Sequence, residues 1–209
     1  MRTIRLVACF ALLTAALALA QTPPPADAPR PSDYASLVAR AQAGEHVDFQ
    51  RLRLAWMESP ERKAAQDTGK EEEAMVAAIN ARDFATALKN ADAVVASRFI
   101  NLDGHFAAYV ANQELHREDR AAFHRAIFSG LLDSIFDSGD GKSPQTAWVV
   151  IDVQEEYVVL RVLGLAPSKQ SVVHEGERAF DRMECTNRKT GEAVTLYFDV
   201  TIPMKHYLE

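Results

Sequence analysis

Apolar residues recur every three or four positions from Tyr34 to Phe136 and at every second position beyond Ser143-Pro144. The first spacing marks amphipathic helices and the second marks half-buried strands. Ser32 or Asp33 can cap an opening helix in which Tyr34, Leu37, Val38 and Ala41 share a face and Gly44 is the stop. Asp48 caps the next, with Phe49, Leu52 and Trp56 aligned, and Ser59-Pro60 ends it because proline restricts the residue before it. Glu61 to Lys70 is charged, lacks apolar periodicity and reads as a loop. Glu71, Glu72 and Glu73 favour a helix start by complementing its dipole, ahead of a buried stripe of Met75, Val76 and Ile79. Asp83 caps a clearer helix carrying Phe84, Ala87, Leu88, Ala91, Val94 and Val95. After a turn at Asn101 to Gly104, the stripe Leu102, Phe106, Tyr109, Val110 and Gln113 predicts another. Phe123, Ala126, Ile127, Leu131 and Ile135 predict the last, and Phe128, Leu132 and Phe136 widen its face enough for packing on two sides.

In the second part Ala147, Val149, Ile151 and Val153 alternate with Trp148, Val150 and Asp152, and a polar turn at Gln154 to Glu156 leads into a return strand, Tyr157 to Leu163. Gln170 to His174 reads as a short strand. Ala179 to Thr186 and Val194 to Ile202 form a pair joined by Asn187 to Glu192, with Val194, Leu196, Phe198, Val200 and Ile202 on the buried side. About five antiparallel strands with one face covered by helices make an α+β domain. The helical hairpins resemble tetratricopeptide repeats in packing style, since Ala87 and Ala121 are 34 residues apart. No proline closes the first unit, however, and Met75 stands where a small residue belongs.

The ends change the picture. Met1 to Ala20 has Arg2 and Arg5, an apolar run from Leu6 to Leu19, and a small-residue site at Ala18-Leu19-Ala20, the pattern of an export signal cleaved after Ala20. Its ~14 apolar residues fall short of the ~20 needed to span a bilayer. Gln21 to Ser32 holds five of the nine prolines and reads as a disordered tether. The organisation is therefore 1–20 signal peptide, 21–32 tether, 33–137 helical part and 138–209 sheet part, the last two forming one continuous domain, 33–209. The expected location is periplasmic or secreted, with no transmembrane segment after processing. The chain carries a net charge of −6, and losing Arg2 and Arg5 makes the remainder more acidic, which argues against nucleic acid and anionic membrane as partners. Of the two cysteines only Cys185 survives cleavage; beside Met183 on a strand it reads as a buried thiol.

The run from Ser138 to Leu165 imitates a phosphate-binding loop with Gly141-Lys142-Ser143, but Phe136 occupies the first glycine position and the order is helix then strand, the reverse of what helix amides need to hold phosphate. An EF-hand calcium loop centred on Gly141 would put Phe136 at the first ligand and Ala147 at the glutamate. What remains is a helix stop and turn in which Gly139 and Gly141 supply positive φ and Asp140 an Asx-turn. Binding candidates at this junction are Asp140, Glu156 and Tyr157. Glu155 and Glu156 sit near the expected hairpin turn, where carboxylates are solvated, and Glu156 is placed to accept amides of the glycine loop. The histidines, His46, His105, His116, His124, His174 and His206, show no metal-binding spacing and read as surface or capping residues. No catalytic motif, metal ligand set or cofactor fingerprint is present, and the catalytic residues are unknown.

From Ala126 onward the text Ser138-Gly-Asp-Gly141, Thr146-Ala147, Val150-Ile151, Glu156-Tyr157, Leu163-Gly164, Gln170, Phe180-Asp181 and Leu196-Tyr-Phe-Asp199 resembles an uncharacterised bacterial exported family catalogued as domain of unknown function 4919. The earlier half fits more loosely, through Phe49 to Trp56. The resemblance implies export and a shared fold, and no activity. The reading that follows is an exported binding or protein-interaction module with a protein or peptide partner in the cell envelope. The alternative is a hydrolase using acidic residues at the helix–sheet junction.

Overall fold

Residues 32–207 are described in a computed structural model of the chain. The export signal, its cleavage after Ala20 and the tether up to residue 31 lie outside the described residues. Helix α1 (Asp33–Gln42) starts where Ser32 Oγ accepts the Ala35 amide and stops before Gly44, whose φ is +75°. Asp48 caps α2 (Phe49–Met57). Ser59-Pro60 ends that helix and also begins another. Ser59 Oγ accepts the Arg62 amide, and Pro60 opens α3 (Pro60–Ala64), where its missing N–H is no loss. The expected loop from Glu61 to Lys70 therefore holds most of a short helix and the start of α4 (Gly69–Asn80). Helices α5 (Phe84–Ser97), α6 (Leu102–Glu114) and α7 (Glu118–Phe136) follow as antiparallel neighbours, the first two capped by Asp83 and Asn101.

One expected face is shifted and another is largely turned. Val76 on α4 is 54% exposed, while Met75 and Ala78 are buried. On α6 the predicted stripe is buried only at Leu102: Phe106 is 45% exposed, and the rest of the buried face is Gly104, His105, Ala107, Ala108, Ala111 and Asn112. Small side chains let helices approach closely. Ala78, Ala87, Ala91, Ala107, Ala108 and Ala111 form a seam with Met75 and Leu88 that joins α4, α5 and α6. Large apolar residues dominate a periodicity reading, so a helix that packs through its small residues is assigned the wrong face.

The strands differ more. β1 is only Trp148–Val149, and the expected return strand is helix α8 (Val153–Val162). Asp152 caps it by accepting the Gln154 amide at 2.9 Å, and Glu155 and Glu156 occupy its first turn. A cap and two first-turn carboxyls, with Val158, Val159 and Leu160 buried, outweigh the strand preference of the valines. β2 (Leu165–Glu175) starts earlier than expected, with an irregularity between Pro167 and Lys169. It pairs antiparallel with β3 (Arg178–Asn187), which pairs antiparallel with β4 (Ala193–Asp199). β4 pairs parallel with β1, so the sheet is mixed and four-stranded, ordered β1–β4–β3–β2, not a five-stranded antiparallel meander. The last strand stops at Asp199, whose Oδ1 accepts the Thr201 amide. Helix α9 (Thr201–Tyr207) follows, with Pro203 in its first turn. One core cluster runs from Tyr34 through Leu131, Trp148 and Val159 to Phe198 and Val200, so helices and sheet share it. Cys185 is buried there, and burial pushes its thiol pKa up.

The glycine-rich junction is built by close backbone approach. The amides of Asp140 and Gly141 both donate to Thr146 O, Trp148 Nε1 donates to Gly139 O, and the Tyr197 amide donates to Gly141 O. Gly141 has φ +68°, and a Cβ there would lie 2.6 Å from the Trp148 ring. Gly139 does not supply positive φ as expected; a Cβ on it would stand 2.3 Å from Thr146 O, a backbone atom with nowhere to go. Gly139→Ala is expected to destabilise the fold by about 1–3 kcal/mol through overpacking. Urea denaturation checks this, and a loss under about 0.5 kcal/mol, the level of an ordinary surface change, would mean the turn opens freely.

Candidate functional site

Asp140, Glu156 and Tyr157 occupy three separate environments. Asp140 is exposed and braces the junction, accepting from Thr146 Oγ1 at 2.6 Å and the Lys142 amide at 3.0 Å; these bonds hold its carboxyl below the usual range. Tyr157 lies on the surface of α8, and its hydroxyl donates to Gln170 Oε1 at 3.2 Å. Glu156 is 0% exposed. It does not hold the amides of the glycine loop, which go to Thr146 O and Asp140.

Glu156 faces a second carboxyl. Asp181 on β3 is buried, and its Oδ2 accepts from Gln170 Nε2 at 2.5 Å. Both Glu156 oxygens and Asp181 Oδ1 find no N–H or hydroxyl donor among the described residues. Burial, and then the charge and hydrogen bond of Asp181, push the Glu156 pKa up to about 9. Glu156 therefore keeps its proton at neutral pH and can donate it to Asp181, which leaves its other oxygen without a donor among the described residues. Hydrogen bonds run from Tyr157 through Gln170 to Asp181, tying α8 to β2 and β3.

Glu155, expected in solvent, is buried as well and forms an ion pair with Arg53 of α2. Arg53 Nε reaches Glu155 Oε1 at 2.9 Å and Nη2 reaches Oε2 at 2.5 Å. The same guanidinium donates to Val149 O and Ser134 Oγ, while Glu155 Oε2 also accepts the Ile151 amide. A fork-on-fork pair so fully bonded fixes the start of α8 against α2, α7 and β1.

Beside this anchor opens a cleft of about 360 Å³. Its walls come from the end of α2, the residues from Arg62 to Gly69, the α5–α6 turn, the start of α8, and Pro203 and His206 of α9. A side-chain circuit joins the α4 start, the α5–α6 turn and the start of α8. Arg98 donates to Asp152 Oδ2 at 2.6 Å and to Gln154 Oε1 at 2.8 Å. Gln154 Nε2 donates to Glu72 Oε2, and Glu72 Oε1 accepts from Asn101 Nδ2 and Thr68 Oγ1. Arg62 lines the cleft and makes no ion pair among the described residues. A volume of this order suits a small ligand or a short peptide segment.

A family model described as a domain of unknown function, DUF4919, matches residues 45–209. The chain belongs to that family. No curated protein and no solved structure matches it. The DUF4919 match begins just after the Gly44 stop and takes in Arg53, the cleft, the carboxyl pair and the whole sheet.

Sequence reasoning missed two further features of this DUF4919 chain. His105 and His124, expected at the surface, are buried with their Nδ1 atoms 3.1 Å apart. His105 Nε2 lies 2.6 Å from Phe99 O and must donate to it, so its Nδ1 accepts; His124 Nδ1 therefore donates, and His124 Nε2 is left as a buried lone pair. Burial, with His124 as the next cause, lowers the His105 pKa to about 3; burial, followed by Arg120, lowers that of His124 to about 4. The cleft residues Glu72, Arg98, Asn101 and Gln154 also escaped notice. Asn101 was read as part of a turn and Asp152 as part of a strand, yet both cap helices, and nothing local marks caps from different helices as neighbours.

Proposed function

We propose that this protein is a binding module whose polar cleft takes a short peptide segment. The observation that carries the reading is the Arg98–Asp152–Gln154–Glu72–Asn101 circuit, which joins α4, α8 and the α5–α6 turn around a concave surface. Walls fixed before a ligand arrives lose little ordering entropy on binding. Backbone amides and carbonyls of an extended peptide are the natural complement to a rim of carboxylate, amide and guanidinium groups. An N-terminal export signal read in residues 1–20 is the basis for setting this binding in the cell envelope. The competing hydrolase reading draws on Glu156, but a general acid must reach its substrate. Glu156 is wholly buried, and its proton already serves Asp181.

The test is a thermal-shift screen of pooled unstructured pentapeptides, followed by calorimetry on the hits. Hits should weaken about tenfold, the loss of one good hydrogen bond to a charged group, in Glu72→Gln or Arg62→Ala. They should be unchanged in Asp140→Ala, which lies outside the cleft. A screen without hits, or hits indifferent to Glu72 and Arg62, would overturn the reading.

A further inference from the structure

Among the described residues the outer edge of β2 is open. This strand ends the sheet among the described residues, its backbone is bonded on one side only, to β3, and residues 172, 174 and 175 lie exposed along it. The open stretch has defined limits. Pro167 and the irregularity before Lys169 interrupt regular pairing at one end, and Gly176, φ +61°, turns the chain at the other. Between them runs Lys169-Gln-Ser-Val172-Val-His-Glu175, with Val172 at its centre.

This stretch is complementary to itself. Lys169 and Glu175 each stand three residues from Val172, one cationic and one anionic. In an antiparallel pair of two such strands, centred on Val172, each Lys169 lies directly opposite the other copy's Glu175, and the two Val172 side chains meet on the two-fold axis. Val172 is 50% exposed, an apolar side chain with little cover in one copy. Within the chain the two charged residues are weakly engaged: Lys169 Nζ lies 3.9 Å from Glu184, and Glu175 accepts from Gln145 at 3.2 Å. Lysine and proline on an edge strand usually discourage strand addition. Here Pro167 lies outside the open stretch, and the lysine selects one register, because every parallel alignment in phase sets like charges opposite.

We infer that the β2 edge is a self-association surface that pairs two copies of this chain antiparallel through residues 169–175, building a continuous sheet across the two-fold axis. The surface is independent of the cleft. An isologous contact of this kind closes on itself and stops at two copies.

Charge reversal tests the register. The protein as it accumulates after expression should dimerise in sedimentation equilibrium across the micromolar range. Lys169→Glu and Glu175→Lys each set like charges opposite at both ends and should weaken the dimer about tenfold or more. Mixing the two variants restores both attractive pairs and should return a heterodimer close to wild-type affinity. Both positions are at the surface, so circular dichroism should report an unchanged fold in each variant. A wild type that stays monomeric, reversals that leave dimerisation unchanged, or a mixture that fails to recover it would each overturn the inference.

Discussion

Arg53→Ala is expected to destabilise the protein by about 3–5 kcal/mol, the cost of leaving a buried carboxylate without its partner. Arg53 and Glu155 have side chains 3% and 7% exposed, so water reaches neither well. Removing the guanidinium also strands Val149 O and takes a partner from Ser134 Oγ. Glu155 would keep only the Ile151 amide. The double replacement Arg53→Met with Glu155→Leu should recover much of the loss, since apolar groups of similar volume often substitute for a buried pair at little cost. Chemical denaturation of Arg53→Met, Glu155→Leu and the double closes the cycle. If Arg53→Ala cost less than about 1 kcal/mol, as an exposed pair would, the anchor reading of this bridge would fail.

The second large effect is a fall in stability with rising pH, carried by Glu156. Its folded pKa of about 9 lies above the ordinary 4.5, so between those values the folded state holds a proton that the unfolded chain has released. The stabilisation is complete below 4.5 and is lost as pH climbs through 9. The slope reaches about 1.4 kcal/mol per pH unit. Glu156→Gln keeps a donor for Asp181 at every pH and removes the titration. The variant should overtake wild type by pH 8 and show a flatter profile from pH 7 to 9. Urea midpoints across that range decide it, and parallel profiles for the two proteins would sink the claim. His105 and His124 act from the other side. Their pKa values fall from 6.5 to about 3 and 4, so the stability they contribute is present above 6.5 and drains as pH drops toward those values. As far as these three groups decide, stability peaks near the ordinary histidine pKa, about 6.5.

Much of the helical half was legible because its signals are local. Ser32, Asp48 and Asp83 cap where their spacing to the next apolar residue says they should. The β3–β4 pair was legible because alternation and the turn at Asn187 to Glu192 agree. Misreadings arose where two local signals conflict. Val158, Val159 and Val162 favour a strand, whereas Asp152, Glu155 and Glu156 favour a helix start, and burial decided for the helix. The outward aromatic face of α6, where Phe106 contacts Tyr109 and Phe128, was read as core because its true core face is alanine and histidine. The candidate site was hardly legible at all. Arg53 with Glu155, Glu156 with Asp181, and Glu72 with Gln154 are each contacts between residues remote in sequence.

The two-residue strand β1 has a consequence in time. Trp148 and Val149 pair with Phe198 and Asp199, and the Val150 amide donates to Asp199 O, so this edge strand has no place in the sheet until the chain has been made through β4. Everything between, α8 included, is synthesised while that place in the sheet stands vacant. Such distant pairing slows folding, because a long loop must close before any contact rewards it. The sheet therefore cannot close until β4 has been made, and β1 waits through α8, β2 and β3 for that partner.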